Sequence, residues 1–453
     1  MHTPKALLLA VPLVALALTN ARDASACGGC FTQQTEDSQV TGHKMILSVS
    51  KTQSTLWDQI SYSGNPASFA WILPTKGIVE VGLSSDALFQ NLDQDTKVTV
   101  ASPVIQCSPP PDCGGFGGPP NAGGGDNSAD AGGVSVLAQD VVGPYETVQL
   151  NAADPLALKN WLLGHNYNIP ADVSPIIDAY VNDGFNFLAL KLVPGQGVSA
   201  MRPVRVTTPG ASPVLPLRMV AAGTGAVTSI TLWVMAEGRY EPANLPSFII
   251  DQAQLVWNWD TKSSNYSKLK QTGFDSSSGK AWLIEAGEPF SRYVLSNQIT
   301  FLAQSDPKGS GYADDMGQGA PQAAAADLDA IFSDIPDASL WITRLHGELS
   351  RAVLADDLEV GASADQTSLN RYLQATKAIG AAPPCPTFPP CSNGSGEGSN
   401  GGWDFWSNPA SGDKIAGGGG CAMTAGEGAS AAMSVLVLAA ALALSRRRRR
   451  PCP

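Results

Sequence analysis

Met45, Leu47 and Val49 alternate with polar neighbours, and Leu56, Ile60 and Tyr62 follow the same alternation in the next run. A two-residue period is what a strand buried on one face imposes. Residues 67–73 form an apolar run ended by Pro74, and the three runs together predict an antiparallel meander. Further strand patterns cover residues 185–193, 214–222, 227–236, 254–259, 281–286 and 339–345. Helical spacing takes over elsewhere. Ser85 is placed to cap a short helix carrying Leu88, Phe89 and Leu92 on one face. Asp154 as cap, Pro155 in the first turn and Gly164 as stop bracket Leu158, Trp161 and Leu162. Ser174, Pro175 and Gly184 do the same for Ile176, Ile177, Tyr180 and Val181. An alanine-rich helix is expected over residues 323–332. Strands outnumber helices, so the expected fold class is α+β, mostly antiparallel β-strands with a few inserted helices.

The two ends break this pattern. Residues 1–26 read as a secretory signal: Lys5, an apolar stretch over 6–18, then Ala24-Ser25-Ala26 as a small-x-small cleavage pattern. Cys27 directly follows, which also raises a lipoprotein start. That motif wants a Leu-like residue where Ala24 stands, and ordinary cleavage is the favoured reading. At the other end four glycines (417–420) precede Cys421, a short spacer, an apolar run over 429–444 and five arginines at 446–450. The run sits at the short edge of what spans a bilayer, and the arginines hold that end in the cytoplasm. This layout resembles the MYXO-CTERM sorting signal of myxobacterial envelope proteins. The resemblance implies processing, and lipid attachment, centred on Cys421; a plain tail anchor is the alternative. Pro451-Cys452-Pro453 after the arginines departs from the usual tail.

Between the ends lie six cysteines: Cys27, Cys30, Cys107, Cys113, Cys385 and Cys391. An exported chain meets an oxidising compartment, so disulfides are the default. The spacing leads us to expect three local pairs, Cys27–Cys30, Cys107–Cys113 and Cys385–Cys391, although fifteen connectivities are formally open. Redox or zinc chemistry is the alternative for Cys27-Gly-Gly-Cys30. It lacks a second cysteine pair or nearby histidines.

The chain has 453 residues with 46 Gly and 33 Pro, and much of that excess is local. Residues 107–134 hold 9 Gly and 5 Pro, and residues 380–420 hold 11 Gly and 6 Pro. Such stretches bury too little apolar surface to offset their ordering entropy, so both read as flexible segments. The expected organisation is a signal (1–26), a globular domain (27–376) with an insert at 107–134, a linker (377–420) and a sorting region (421–453). Net charge is -12. The signal contributes +1 and the residues after Cys421 contribute +4, so residues 27–421 carry -17. That balance excludes nucleic acid as a partner and argues against anionic lipid surfaces.

Catalytic motifs are scarce. No nucleophile elbow, metalloprotease motif, phosphate loop or dinucleotide fingerprint occurs. His43, His165 and His346 each read as a surface or turn histidine. Asp126, Asp130, Asp314 and Asp315 read as solvated loop carboxylates rather than a calcium site. Asp356-Asp357 are adjacent in sequence, which by itself makes no acid/base pair. Trp71, Trp161 and Trp233 sit in apolar patterns and read as core. Trp257 and Trp259 alternate on one strand face and are read as core or edge rather than a ligand platform. Trp403 and Trp406 lie in the polar linker, where a docking motif is the reading carried forward. No cofactor or metal is expected.

Phe69-Ala-Trp71-Ile-Leu-Pro74, Val142-Gly-Pro-Tyr145, the Trp161-Leu162 helix, Tyr167-x-Ile-Pro170, Phe187-Leu-Ala-Leu-Lys191 and the PVLPLRM run from Pro213 to Met219 resemble the exported bacterial family catalogued as domain of unknown function 2330. The Ala-Cys-Gly-Gly start at residues 26–29 fits as well. The resemblance implies export and one folded unit, and supplies no activity. The expected role is a surface-anchored envelope protein acting as a non-enzymatic binding module. Its expected partners are the secretion and C-terminal sorting machinery and an envelope or surface component. A secreted hydrolase whose site converges from distant positions is the alternative, and a purely structural coat component is the third reading.

Overall fold

The computed structural model describes residues 30–32, 39–63, 69–108, 140–151, 156–169, 171, 173–193, 200–220, 227–314, 316–350 and 353–387. An eight-stranded sheet forms the centre. Its order is β14 (Ser247–Phe248), β17 (Trp282–Pro289), β18 (Leu340–Ser350), β12 (Val227–Glu237), β2 (Gln39–Val49), β3 (Gln53–Ser63), β10 (Val204–Pro209) and β5 (Glu80–Leu83). The β12–β2 and β14–β17 pairs are parallel and the rest antiparallel. The strand period sends Met45, Leu47, Ile230 and Leu232 to one face and Ile46, Trp57, Trp233 and Met235 to the other; all are buried.

Helices close the second face. α1 (Asp86–Thr96), α6 (Arg292–Ser305) and α7 (Ala320–Phe332) pack there around Trp57 and Trp233, with α5 (Tyr266–Ser276) beside β17. Ser85 caps α1 as its sequence predicts, its hydroxyl accepting from the Ala87 N–H at 3.0 Å.

Two covers share the first face. An all-antiparallel sheet, ordered β1 (Cys30–Thr32), β4 (Phe69–Thr75), β9 (Asn186–Leu192), β8 (Tyr145–Leu150) and β7 (Asp140–Val142), packs over β3, β10 and β5. Its outer face is covered by α2 (Ala157–Gly164) and α3 (Ser174–Asn182). Over the rest lie α4 (Leu217–Val220) and a small sheet of β11 (Val214–Leu215), β19 (Leu358–Ala362) and β13 (Tyr240–Pro242). An annex around buried Leu255 and Trp257 holds β15 (Val256–Asn258), β16 (Ser263–Ser264) and β21 (Lys377–Ile379), and β20 (Tyr372–Gln374) pairs with β6 (Thr99–Ala101). The fold is α+β.

Several local expectations change. β2 and β3 pair as expected, but β4 leaves them for the second sheet. Its Trp71 and Leu73 face the central sheet while Ala70 and Ile72 face α2 and α3, so both faces need a cover. The strand expected over 214–222 is only two residues long, because Pro216 has no N–H to continue the ladder and the chain turns into α4. In α3 the cap position is Val173, and Ser174 is already helical without a side-chain cap. α2 opens after Leu156, whereas Asp154 and Pro155 lie outside the described residues. Lys377–Ile379, placed by composition at the start of the linker, forms β21 against β15. α5 and α6 had no expectation at all. α6 buries Leu295, Ile299 and Ala303 at four-residue spacing, but exposed Tyr293, Val294 and Phe301 blur the stripe.

The cysteine pairing also changes. Cys107, just after β6, bonds to Cys385, just after β21, with 5.5 Å between Cα atoms. The local pairs expected at 107–113 and 385–391 are therefore wrong for these two residues. Local spacing misled because the annex strands β15 and β21, and β6 with β20, draw the two distant segments together. Non-reducing peptide mapping should recover a peptide joining Cys107 to Cys385; finding both cysteines only in their own local loops would overturn this pairing.

Candidate functional site

β10 begins at Val204, opposite Asp58, so β3 continues through Ser63 with no strand paired on that side among the described residues. Pro203 and Arg202 turn away there. The space they leave is a cavity of about 390 Å³. Gln59, Ile60 and Ser61 of β3 form one side, with Trp71 of β4 and Leu190 of β9 opposite. Arg202, Met201 and Tyr145 form the wall, and Lys44 and Asp86 reach in from the helix side.

Most polar groups bordering this space are paired. Asp58 is buried and its carboxylate faces His43 Nδ1 at 3.0 and 3.1 Å. His43 Nε2 is buried with no hydrogen-bond partner. The Tyr145 hydroxyl donates to the Arg202 carbonyl at 2.8 Å and accepts from the Arg202 N–H at 3.0 Å. The Arg202 guanidinium donates twice to the Ser84 carbonyl, at 3.0 and 3.2 Å. Burial lowers the Arg202 pKa, opposed by Asp327 nearby. Gln59 Nε2 donates to Asp86 at 2.6 Å, and Lys44 lies 3.8 Å from Asp93. Two cations and two carboxylates thus border one small space.

Behind this wall sits Asp327 of α7, fully buried. Its carboxyl accepts from Trp57 Nε1 at 2.9 Å, Arg205 Nη1 at 2.9 Å, the Tyr312 hydroxyl at 2.8 Å and the Ser84 hydroxyl. Burial pushes its pKa up, against Arg205 and the neutral donors, which hold it down. Gly82 sits opposite Arg205 in the ladder, and a Cβ there would meet the guanidinium at 2.6 Å. Glycine leaves the arginine room to cross β5 toward Asp327.

The residues singled out by sequence fall elsewhere. Cys30 opens β1. Cys27, Cys113, Cys391, Cys421, Trp403 and Trp406 lie outside the described residues, as do Asp126, Asp130 and Asp315. Asp314 accepts from the backbone N–H groups of Met316 and Gln318, which makes it a turn residue. Asp357 accepts from Tyr180 and Arg218 and ties α3 to α4. Trp71 and Trp233 are buried, Trp161 is half-buried, and Trp257 packs edge-on to Trp259 in the annex. His43 and His346 correct the surface reading: both are buried within strands, His346 bonding Glu348 at 2.8 Å and lying 3.3 Å from the Thr231 hydroxyl. Lys44, Asp58, Asp86, Tyr145 and Arg202 were missed as a group. One signal was available: Asp58 occupies the apolar face that Leu56 and Ile60 define, a position where a charge needs a partner.

Residues 21–317 match the family described as uncharacterized protein conserved in bacteria (DUF2330). The chain belongs to this family. The DUF2330 span contains every residue that borders the cavity, while Asp327 lies beyond it. No curated protein sequence matches the chain. Among solved structures, the crystal structure of baculovirus P35 aligns at a TM-score of 0.23 with 11% identity, covering 45% of this chain and 66% of that one, just under two thirds. A score that low supports no structural argument. Among the described residues of this DUF2330 protein, no helix is long and apolar enough to cross a membrane; the apolar run at 429–444 lies outside them.

Asp327→Ala orphans a buried guanidinium and three neutral donors, so it should cost about 3–5 kcal/mol of stability. Denaturant titration checks this, and a loss below about 1 kcal/mol would show that the carboxyl is dispensable.

Proposed function

We propose that this DUF2330 protein is an exported, surface-anchored envelope protein that works as a binding module, with the cleft beside β3 as its ligand site. The observation that supports the reading is the pair of hydrogen bonds between the Tyr145 hydroxyl and the Arg202 backbone, which holds the wall in place before any ligand arrives. A pre-formed site binds without first ordering its own groups, a cost that otherwise subtracts from affinity. The ligand is one that offers groups to both Arg202 and Asp86. A thermal-shift panel of amino acids, short peptides and monosaccharides tests this. A binder at 100 times its Kd should raise the melting temperature by a few degrees. Asp86→Asn and Arg202→Ala should each reduce that shift; a shift unchanged in both variants would place the ligand elsewhere.

A secreted hydrolase is the second reading, favoured by the buried His43–Asp58 pair beside the cleft with its free Nε2. Turnover that His43→Gln abolishes while ligand stabilisation persists would favour it over the binding module.

The route to the surface rests on the two termini. Cleavage after Ala26 exports the chain, the arginines at 446–450 hold the tail inside, and Cys421 is the processing point. Cys421→Ala should leave the full-length tail attached or mislocalise the protein. Intact-mass measurement and membrane fractionation check it, and unchanged processing would remove the role of this cysteine.

A further inference from the structure

We propose that the occupant of the cleft is an extended peptide segment of a partner protein, added to β3 as an extra strand; this deepens the binding-module reading and rests on it. The first observation is the ladder. β3 pairs with β10 only from Gln53 to Asp58, yet it runs on as strand to Ser63, held on its other side by β2. In an antiparallel strand each residue directs its N–H and C=O to the same side, and successive residues alternate. Of Gln59, Ile60 and Ser61, at least one therefore presents both groups toward the cavity rather than toward β2. An unpaired strand edge is a template for another strand.

The second observation is size and shape. A strand residue takes up roughly 160 Å³ at the usual rise, strand spacing and sheet spacing. The cavity of about 390 Å³ thus holds two to three residues, the length of the uncovered edge that lines it. Alternate side chains of an added strand point to opposite faces of the sheet. One face of this slot offers the apolar surfaces of Trp71, Leu190 and Met201, and the other offers Lys44, Gln59 and Asp86. The expected ligand alternates an apolar residue with polar or charged ones.

The third observation is that the chain plugs a comparable edge elsewhere. Beside β5, the Val79 N–H donates to the Gln149 side-chain carbonyl at 3.0 Å, and Gln149 Nε2 donates to the Val79 carbonyl at 2.8 Å. A side-chain amide there stands in for a strand neighbour. Among the described residues no such plug serves Gln59 to Ser61: the Gln59 side chain goes to Asp86, and the Arg202 guanidinium goes to Ser84.

The experiment selects binders from a displayed library of random hexapeptides with the full-length protein, then repeats binding with backbone N-methylated versions of those peptides. The protein stays unmutated, so folding does not confound the result. Strand addition predicts that N-methylation at alternate positions weakens binding about tenfold per lost main-chain bond, while the positions between tolerate it. Hydrogen exchange should slow at Gln59, Ile60 or Ser61 when the peptide is present. Selection of no peptide, indifference to N-methylation, or protection confined to another surface would each overturn the proposal. So would amides at these residues already protected without peptide, since the edge would then be occupied by the chain itself. If peptides fail but an amino acid or sugar stabilises the protein through Asp86 and Arg202, the binding module stands and strand addition falls. If both fail, the binding module falls too.

Discussion

Four parts of the chain meet at one buried carboxyl group. Asp327 accepts from Trp57 on β3, Arg205 on β10, Ser84 between β5 and α1, and Tyr312 ahead of α7. Removing a carboxylate from water costs several kcal/mol, and only a full set of donors offsets it. Each donor sits where it does because the others do. The bond fixes α7 on the central sheet and the start of α1 against β10. From Ser84 the constraint passes to Arg202 through the Ser84 carbonyl, and from Arg202 to Tyr145 in the second sheet. Helix layer, central sheet and second sheet are thus joined through one line of hydrogen bonds, and the wall of the cleft is its last link.

The cleft exists because two neighbouring strands differ in length. β3 has eleven residues and β10 has six. The ladder with β3 stops at Val204: Pro203 faces β5 instead, where its carbonyl accepts from the Ser84 N–H at 2.8 Å, and the Arg202 backbone bonds the Tyr145 hydroxyl. The segment that enters β10 is therefore anchored at both of the residues before the strand, and the gap beside β3 is bordered by a wall with fixed backbone.

Much of this was legible along the chain, and the failures have physical causes. The alternation of Met45, Leu47 and Val49 marked β2, and Ser85 marked the start of α1, because both signals are local. Which sheet a strand joins is not local. The apolar run of β4 announced burial on both faces but not the partner, and the partner proved to be β9, more than a hundred residues away. His43 looked like a surface residue because nothing near it in sequence explains a buried imidazole; Asp58 lies fifteen positions on, across the hairpin. Cys107 and Cys385 lie 278 positions apart and no spacing rule reaches that far. The cleft was least visible of all, since it is made by where β10 stops.

Strand edges give the sharpest view of how this fold treats its own surface. An open edge invites pairing with any passing chain, so folds cover, twist or charge their edges. Here Gln149 seals the edge beside Val79 with a single side chain, using the same donor and acceptor that a strand would use. Met201, which borders the gap beside β3, carries no amide to do the same. The chain instead spends Tyr145, Arg202 and Ser84 on holding the wall back from that edge. The bonds of Tyr145 and Arg202 to each other and to Ser84 run within the wall, and among the described residues no strand pairs with β3 past Asp58 on that side, so its backbone borders the cleft.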